Sequence, residues 1–223
     1  MDPRFAHVRD WIFDLDNCLY PASTRLFDLI DQRMGGYIQR LLGCDAIEAR
    51  RVQKDHFHTH GTTLAGLMAD HGVDPHDFLA DVHDIALDRV APDPVLADGL
   101  ARLPGRKFIF TNGDAPYARR VLAAIGIDGH FDGLHDIHAA ELRPKPDPHG
   151  YAVLCARFAI DPAYALMVED MAGNLRSAKA LGMTTVWVDN GSERGAHGSD
   201  PAFIDHIIAD TGEFLTSILK EPS

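Results

Sequence analysis

Two aspartates, Asp14 and Asp16, follow the apolar run WIF with a single leucine between them. A carboxylate can act as a nucleophile toward phosphorus, and a neighbouring carboxyl can move the proton that a leaving group or an attacking water requires. The alternative is that both acids only make a strand exit polar or cap a turn. The pair indicates covalent and acid–base chemistry if other suitable groups lie nearby.

Hydroxyl and cationic side chains occur further along the chain. Thr111 and Asn112 come at the end of the run KFIF, where a hydroxyl and backbone N–H groups can hold anionic oxygens. Lys145 lies between two prolines in RPKPDP, which restrain the backbone on both sides of it. The alternative for all three residues is an ordinary turn, with the lysine solvated.

A second acidic pair, Glu169 and Asp170, follows the run YALMV. Adjacent carboxylates repel each other unless a cation or hydrogen bonds intervene. Mg²⁺ typically takes one or two carboxylates together with phosphate oxygens and water, and Asp14 and Asp170 could supply these carboxylates. The alternative is that both acids complement the dipole of a following helix.

These side chains need elements that bring them to one place. Apolar runs rich in β-branched residues predict four buried parallel strands, at 8–13, 107–111, 164–168 and 184–188. Segments with helical spacing fall between and after these runs, at 116–126, 148–158 and 174–182. The alternation predicts an α/β fold with a doubly wound parallel sheet. Ligands bind at the carboxyl ends of the strands in such sheets, so we expect the candidate residues at one edge.

The interval 22–94 differs because it contains amphipathic segments with no convincing strand between them, and glycines and prolines punctuate it as helix ends should. We interpret it as an α-helical cap domain inserted into a core domain that is formed by 1–21 and 95–223. The polar, glycine-rich stretch 190–201 is predicted to be a surface loop.

Composition argues against several classes of protein. The net charge of −12 has no compensating basic run, so nucleic acid is not expected as a partner. Neither a membrane-spanning run nor a secretory signal can be read from the sequence, so we expect no membrane partner and a cytoplasmic location. Three widely spaced cysteines predict reduced thiols. A small phosphate ester remains compatible with the acidic charge, because a bound divalent cation can dominate the local field.

Four stretches resemble the motifs of the haloacid dehalogenase superfamily in their usual order: FDLDNCLYP, FTNGD, the lysine of RPKPDP, and VEDMAGN followed by GMTTVWV. The helical insertion is similar to the cap of the subgroup with an α-helical lid. DNCLYP and GTTLAGLM are also similar to stretches of the pyrimidine 5′-nucleotidase branch. The resemblance implies a Rossmann-like core and a hydrolase that acts on a small phosphate ester.

The resemblance implies a role for each candidate residue. Asp14 is then the nucleophile that forms an aspartyl-phosphate, and Asp16 protonates the leaving alkoxide and later deprotonates the attacking water. Thr111 and Lys145 hold the phosphoryl group, with Asn112 in the same substrate site. Asp16 also favours a phosphatase over a dehalogenase, since a halide leaving group needs no proton whereas an alkoxide does.

The resemblance further implies Mg²⁺ as the cofactor. Its ligands are then Asp14, the backbone carbonyl of Asp16, and Asp170, while Glu169 either binds the ion or orders a metal-bound water.

The expected substrate is a pyrimidine nucleoside 5′-monophosphate. In the cap, Thr62 and Thr63 are implied to hydrogen-bond the base or sugar from a loop that closes over the substrate. A phosphatase for glycolate or sugar phosphates, or a phosphomutase, stays open because the core motifs do not separate these activities. A phospho-acceptor or binding protein that resembles a receiver domain is the alternative that is not an enzyme. The sequence predicts no oligomeric state.

Three features depart from the pattern or lie outside it. Cys18 stands where the superfamily usually has threonine, and because two aspartates should raise its pKa we expect a structural thiol. Asn174 replaces an acid that many relatives carry, which puts the outer shell of the metal in question. His56, His58 and His60 invite a metal site, but no nearby cysteine or carboxylate completes a ligand set, so a structural role is the preferred interpretation.

Overall fold

The structure is a computed structural model that describes residues 1–191 and 195–220. The predicted core segment 95–223 and the predicted surface loop 190–201 therefore include residues that lie outside the described ones. The chain divides into two compact units, one formed by Met1–Thr24 and Val90–Ser223 and the other by Arg25–Arg89. Within the described ranges, no helix is both long enough and apolar enough to cross a lipid bilayer.

The first unit is built on one parallel sheet. Its strands run in the spatial order β3-β2-β1-β4-β5-β6, and every neighbouring pair is parallel. The strands are β1 Asp10–Phe13, β2 Arg106–Phe110, β3 Gly133–His135, β4 Ala165–Glu169, β5 Thr184–Val188 and β6 His206–Ile208. This order is that of a doubly wound sheet whose direction of winding reverses between β1 and β4. The predicted α/β fold with a doubly wound parallel sheet is confirmed.

Two strands of this sheet, β3 and β6, do not appear among the four predicted from the sequence. Each is three residues long and lies at an edge of the sheet. Their sequences, GLH and HII, are too short to show a pattern of burial, and β3 begins with a glycine. Pairing with a neighbouring strand stabilises such short segments, so their own sequences carry little signal.

β1 occupies the centre of the sheet, and all four of its residues are buried. Its last residue, Phe13, lies level with Ile109 of β2 and Val168 of β4. At the opposite end of the strand, the Asp10 carboxylate accepts two hydrogen bonds from the Arg106 guanidinium, at 2.7 and 2.9 Å. The register therefore brings the residues that follow Phe13 to the same edge as the ends of β2 and β4.

The second unit contains four helices. They are α1 Leu26–Leu42, α2 Ala46–His60, α3 Thr63–His71 and α4 Pro75–Val82. Glycines in the left-handed conformation end the first three helices, as the sequence predicts. α1 packs against α2 and α4, and α2 packs against α3. The Tyr37 ring meets the Phe78 ring edge to face at 5.0 Å, which joins α1 to α4.

Among its described residues, the unit that contains the sheet has five further α-helices. They are α5 Pro94–Arg102, α6 Ala115–Ile125, α7 Pro148–Phe158, α8 Leu175–Leu181 and α9 Thr211–Ile218. Aspartate carboxylates accept backbone N–H groups at the start of four of these helices, α5, α6, α7 and α9. Capping thus accounts for part of the acidic composition.

The two faces of the sheet bury different side chains, because neighbouring residues of a strand point to opposite sides. On one face, Ile12 joins a core cluster with residues of α7 and α8, among them Tyr151 and Leu175. On the other, Trp11 contacts Phe5, whose ring packs edge to face on Phe214 of α9 at 5.4 Å. This layering holds β1 rigidly and fixes the position of the residues at its end.

Candidate active site

Lys145 lies at the centre of a buried group of charges at the carboxyl edge of the sheet. Only 3% of the residue is exposed. Its Nζ donates to Asp14 Oδ1 at 2.6 Å, to Glu169 Oε2 at 2.7 Å and to the carbonyl oxygen of Phe110 at 2.8 Å. An ammonium group has three protons, so each of these acceptors takes one. The side chain thereby joins the ends of β1, β2 and β4.

The loop that carries Lys145 is fixed by Asn112. The Asn112 Oδ1 atom accepts the backbone N–H of Lys145 at 2.8 Å, and its Nδ2 donates to the Lys145 carbonyl oxygen at 3.3 Å. Next to it, the Thr111 hydroxyl accepts the backbone N–H of Gly113 at 2.9 Å and is buried. Asn112 therefore positions the lysine in this structure, and a hydroxyl that accepts one bond, like that of Thr111, can still donate one.

Asp16 receives two tyrosine hydroxyls on one carboxylate oxygen. Tyr20 Oη donates to Oδ1 at 2.6 Å, and Tyr117 Oη donates to the same atom at 2.7 Å. Burial, reinforced by the negative charge of Asp16, raises the pKa of both phenols, so they remain protonated donors. Tyr117 comes from the first turn of α6, whose N-cap is Asp114. Strand end and helix start together orient this carboxylate.

Three carboxyl groups crowd together beside Lys145. Oxygens of Asp14, Glu169 and Asp170 lie within 4.8 Å of one another, and all three residues are buried. Burial, followed by the charge of Asp14, raises the pKa of Glu169 above its usual value. Burial and the charges of Glu169 and Asp14 raise that of Asp170. Burial alone lowers the pKa of Lys145, but Asp14 and Glu169 more than reverse this, so the ammonium stays charged.

A family model described as haloacid dehalogenase-like hydrolase matches residues 11–182, which is well over half of the chain. The chain belongs to this family of hydrolases. The match includes the strand ends that carry Asp14 and Asp170 and the loop that carries Lys145, and it spans the helical unit as well. The superfamily inferred from the sequence motifs is confirmed.

The proteins similar to this chain include one named for phosphate metabolism and two named as phosphatases. The chain is 28% identical over 190 residues to Phosphate metabolism protein 8 of Saccharomyces cerevisiae, covering 78% of this chain but only 59% of the yeast protein. It is 26% identical to a phosphoglycolate phosphatase of Mesorhizobium japonicum over 94% of this chain and 96% of that one. A solved structure of a haloacid dehalogenase family phosphatase from Thermococcus onnurineus superimposes with a TM-score of 0.63 at 22% identity, covering 95% and 98% of the two chains. This last similarity supports the fold.

The carboxyl groups of Asp14, Glu169 and Asp170 together form an acidic group that fits a hard divalent cation. Three buried carboxylates face a single ammonium, so negative charge remains in excess when all of them are ionised. Carboxylate oxygens are the ligands that Mg²⁺ and similar ions prefer. In this hydrolase Asp14, Glu169 and Asp170 could hold such an ion. Asp16, whose backbone carbonyl the resemblance implies as a further ligand, follows Asp14 by two residues.

The two residues that depart from the superfamily pattern have structural partners. The Cys18 thiol donates to the Val168 carbonyl oxygen at 3.6 Å. Burial raises the pKa of this thiol more than the neighbouring carboxylates do, so the direction expected from the sequence is right but the main cause is different. Asn174 Nδ2 donates to Glu169 Oε1 at 3.1 Å, a bond that an ionised acid at this position could not make.

Thr62 and Thr63, predicted as substrate ligands on a loop, lie instead at the start of α3 in the helical unit. Thr62 is the N-cap of α3, where its hydroxyl accepts the backbone N–H of Ala65 at 3.1 Å. Thr63 is buried, and its hydroxyl donates to the Gln53 carbonyl oxygen at 3.4 Å. Both hydroxyls therefore have local bonds in this structure, and their role toward a substrate stays a prediction.

Sequence reasoning missed the tyrosines that hold Asp16. Tyr20 lies four residues after Asp16, within the stretch DNCLYP, whose resemblance to relatives assigns it no chemical role. Tyr117 is 101 residues away in the chain, and its place in the first turn of α6 carries no chemical signature. A search for a donor that follows the first acidic pair could have found Tyr20 but not Tyr117.

Proposed function

We propose that this protein is a Mg²⁺-dependent phosphomonoesterase that works through an aspartyl-phosphate. The observation that carries the proposal is the arrangement around β1. Asp14 is held by the Lys145 ammonium at 2.6 Å, and Asp16 is held separately by two tyrosine hydroxyls. Two neighbouring carboxyls with different partners can take different roles, one as the nucleophile and one as the proton donor.

In the first step a carboxylate oxygen of Asp14 attacks phosphorus, and the bond between phosphorus and the ester oxygen breaks. The ester oxygen leaves with the bonding electron pair, and the carboxyl of Asp16 supplies its proton. In the second step the Asp16 carboxylate takes a proton from water as the water oxygen attacks the phosphorus of the aspartyl-phosphate. Inorganic phosphate leaves, and Asp14 regains its carboxylate.

Lys145 and Thr111 are proposed to hold the phosphoryl group. The three ammonium protons of Lys145 go to protein acceptors in this structure, so a phosphoryl oxygen that binds it takes the place of one of them. Mg²⁺ is proposed at Asp14, the carbonyl of Asp16 and Asp170, beside Glu169, where it offsets the repulsion between the phosphate and the carboxylates.

The proposed substrate is a pyrimidine nucleoside 5′-monophosphate. The support is the resemblance of DNCLYP and GTTLAGLM to the pyrimidine 5′-nucleotidase branch. In the helical cap, proposed at 22–94, Thr62 and Thr63 are the residues assigned to the base or sugar. We also propose a cytoplasmic location, and no nucleic-acid or membrane partner.

Phosphoglycolate is the second candidate substrate. It is favoured by the phosphoglycolate phosphatase of Mesorhizobium japonicum, which aligns with 94% of this chain. The core residues are proposed to act in the same way on both esters, since each leaves an alkoxide that needs a proton. The two candidates therefore differ in what the helical unit recognises.

The deciding experiment measures phosphate release from nucleoside monophosphates, sugar phosphates and phosphoglycolate, with Mg²⁺ and with a chelator. We expect many turnovers per protein with Mg²⁺, a pyrimidine nucleotide with the highest kcat/KM, and loss of activity in Asp14→Asn. Highest kcat/KM for phosphoglycolate would instead support the second candidate. If Asp14→Asn kept near-normal release from every ester, the mechanism would be wrong.

Two other activities give different products. A phosphomutase returns the phosphoryl group to the substrate, so an isomeric ester would appear without free phosphate. A receiver-like phospho-acceptor does not turn over and makes no use of proton transfer by Asp16. It would therefore release at most about one phosphate per protein. Counting phosphate released per protein separates both from the proposed enzyme.

A further inference from the structure

A second cluster of possible metal ligands lies in the helical unit, far in sequence from the acidic group. His56 and His60 are one turn apart on α2, and their ring centroids are 5.8 Å apart. Asp70 reaches the same place from α3, with its Oδ2 atom 3.6 Å from His56 Nδ1. One nitrogen of each imidazole and one oxygen of Asp70 lie within 4.8 Å of one another.

The His56 side chain is held in an unusual environment for an imidazole. The residue is 8% exposed, and its Nε2 atom has no hydrogen-bond partner among the residues that the structure describes. A Cβ atom on Gly66 would lie 2.3 Å from the His56 ring, so only glycine at this position of α3 leaves room for it. Close packing thus fixes the ring with its Nδ1 atom beside Asp70. The other nitrogen, Nε2, is buried without a partner among the described residues, and this lowers the stability of the folded state.

We propose that His56, His60 and Asp70 form a site for a divalent first-row transition ion, with Zn²⁺ as its representative. Two imidazoles and one carboxylate are ligands that suit Zn²⁺, and three protein ligands leave a fourth position for water. Mg²⁺ prefers an all-oxygen environment, so the acidic group at the sheet edge and this site select different ions.

The site depends on a carboxylate that sequence reasoning did not connect with the histidines. Asp70 is ten residues beyond His60, and the turn at Gly61 brings α3 back against α2. An ion that takes ligands from both helices joins them. Because Asp70 is exposed, the ion can enter from solvent. The proposal does not depend on the proposed phosphatase activity, since the two ligand sets share no residue.

The test is equilibrium dialysis of the full chain, without an added histidine tag, against Zn²⁺ in a large excess of Mg²⁺. We expect one Zn²⁺ per chain. His60→Gln and Asp70→Asn remove one ligand each and should weaken binding roughly tenfold or more, since even outer-shell partners of a ligand are worth about 10 to 100-fold. His58→Gln is the matched control, because it changes a histidine of the same helix outside the ligand set.

A second measurement guards against a variant that is simply misfolded. Co²⁺ bound in place of Zn²⁺ should give visible absorption bands, which His60→Gln and Asp70→Asn lose while their circular dichroism remains that of the wild type. Asp14→Asn should leave Zn²⁺ binding unchanged. The proposal is overturned if His60→Gln and Asp70→Asn bind Zn²⁺ as tightly as the wild type. It is also overturned if Asp14→Asn no longer binds one Zn²⁺ per chain.

Discussion

Lys145 places one positive charge between two buried carboxylates and thereby decides the electrostatics of the sheet edge. Its bonds to Asp14 and Glu169 are short and almost fully removed from solvent. A buried charge pair is a weak source of net stability, but removing one partner leaves an uncompensated charge. The residue therefore matters both for the fold and for the orientation of the proposed nucleophile.

Lys145→Met is expected to lower kcat by about 10²–10³-fold, in line with the loss of one electrostatic donor, and to lower the free energy of unfolding by about 3–5 kcal/mol. Phosphate release and urea unfolding measure the two effects. Lys54→Met, at an exposed position, should change the free energy of unfolding by less than about 0.5 kcal/mol. Adding Glu169→Gln to Lys145→Met should restore part of the stability, and a failure to do so would contradict the charge argument.

Tyr117 is proposed as a positioning residue that acts through Asp16. Tyr117→Phe removes only the hydroxyl that bonds Asp16 Oδ1, so we expect kcat to fall about 10–100-fold with KM little changed, since a hydrogen bond to a charged group is worth about 1.5–3 kcal/mol. The loss should be smaller with p-nitrophenyl phosphate, whose leaving group needs little protonation. Tyr164→Phe, which changes a tyrosine elsewhere on the unit, is the control. An equal loss for both kinds of leaving group would show that the hydroxyl does not act through proton transfer.

At the level of elements, the turn before β2 determines how β1 and β2 meet. Gly105 has φ +90°, and a Cβ atom there would lie 2.3 Å from the carbonyl oxygen of Arg9. That oxygen accepts the backbone N–H of Arg106 at 2.9 Å, at the start of the pairing between the two strands. Glycine is required here both for the backbone conformation and for the close approach.

Gly105→Ala is expected to lower the free energy of unfolding by about 1–3 kcal/mol or more, because it adds backbone strain and displaces the first β1–β2 hydrogen bond. The shift of the urea midpoint measures it. Gly129→Ala is the matched control, since its added Cβ atom meets nothing within 4 Å and its φ is ordinary. Equal midpoints for the two variants would show that the turn tolerates a side chain.

For the molecule as a whole, an excess of acidic charge makes stability depend on cations. The net charge is −12, and three buried carboxyls crowd the edge of the central sheet. Anything that binds the folded state alone stabilises it by mass action. A divalent ion at the acidic group should therefore stabilise the unit that contains the sheet.

Mg²⁺ at about 100 times its Kd is expected to stabilise the protein by about 2.7 kcal/mol, which raises Tm by about 5–10 °C for a chain of this size. Thermal unfolding followed by circular dichroism measures the shift. Asp170→Asn removes an acid whose pKa is raised in the folded state by burial and by the charges of Glu169 and Asp14, so without metal its Tm near neutral pH should exceed that of the wild type. With Mg²⁺, the Tm of the wild type should instead exceed that of Asp170→Asn. A variant that gained as much from Mg²⁺ as the wild type would remove Asp170 from the metal site.

Local sequence patterns determined much of the fold. The central strands β1, β2, β4 and β5 each contain a short apolar run, and most of the helices have strong spacing and clear ends, so short-range propensity predicts them. The edge strands β3 and β6 cannot be predicted in this way, because a segment of three residues is too short to show a pattern. Their pairing comes from neighbouring strands that are distant in sequence.

The sequence by itself determined which acids and which lysine stand at strand or loop exits, because the end of an apolar run is visible locally. Only the tertiary structure decided their partners: the three acceptors of Lys145, the bond from Tyr117 to Asp16, and the meeting of Asp70 with His56. These contacts join residues that no local pattern connects. Packing of strands and helices brings them together. The sequence therefore determines the chemistry of each residue type, and the fold determines which of these residues interact.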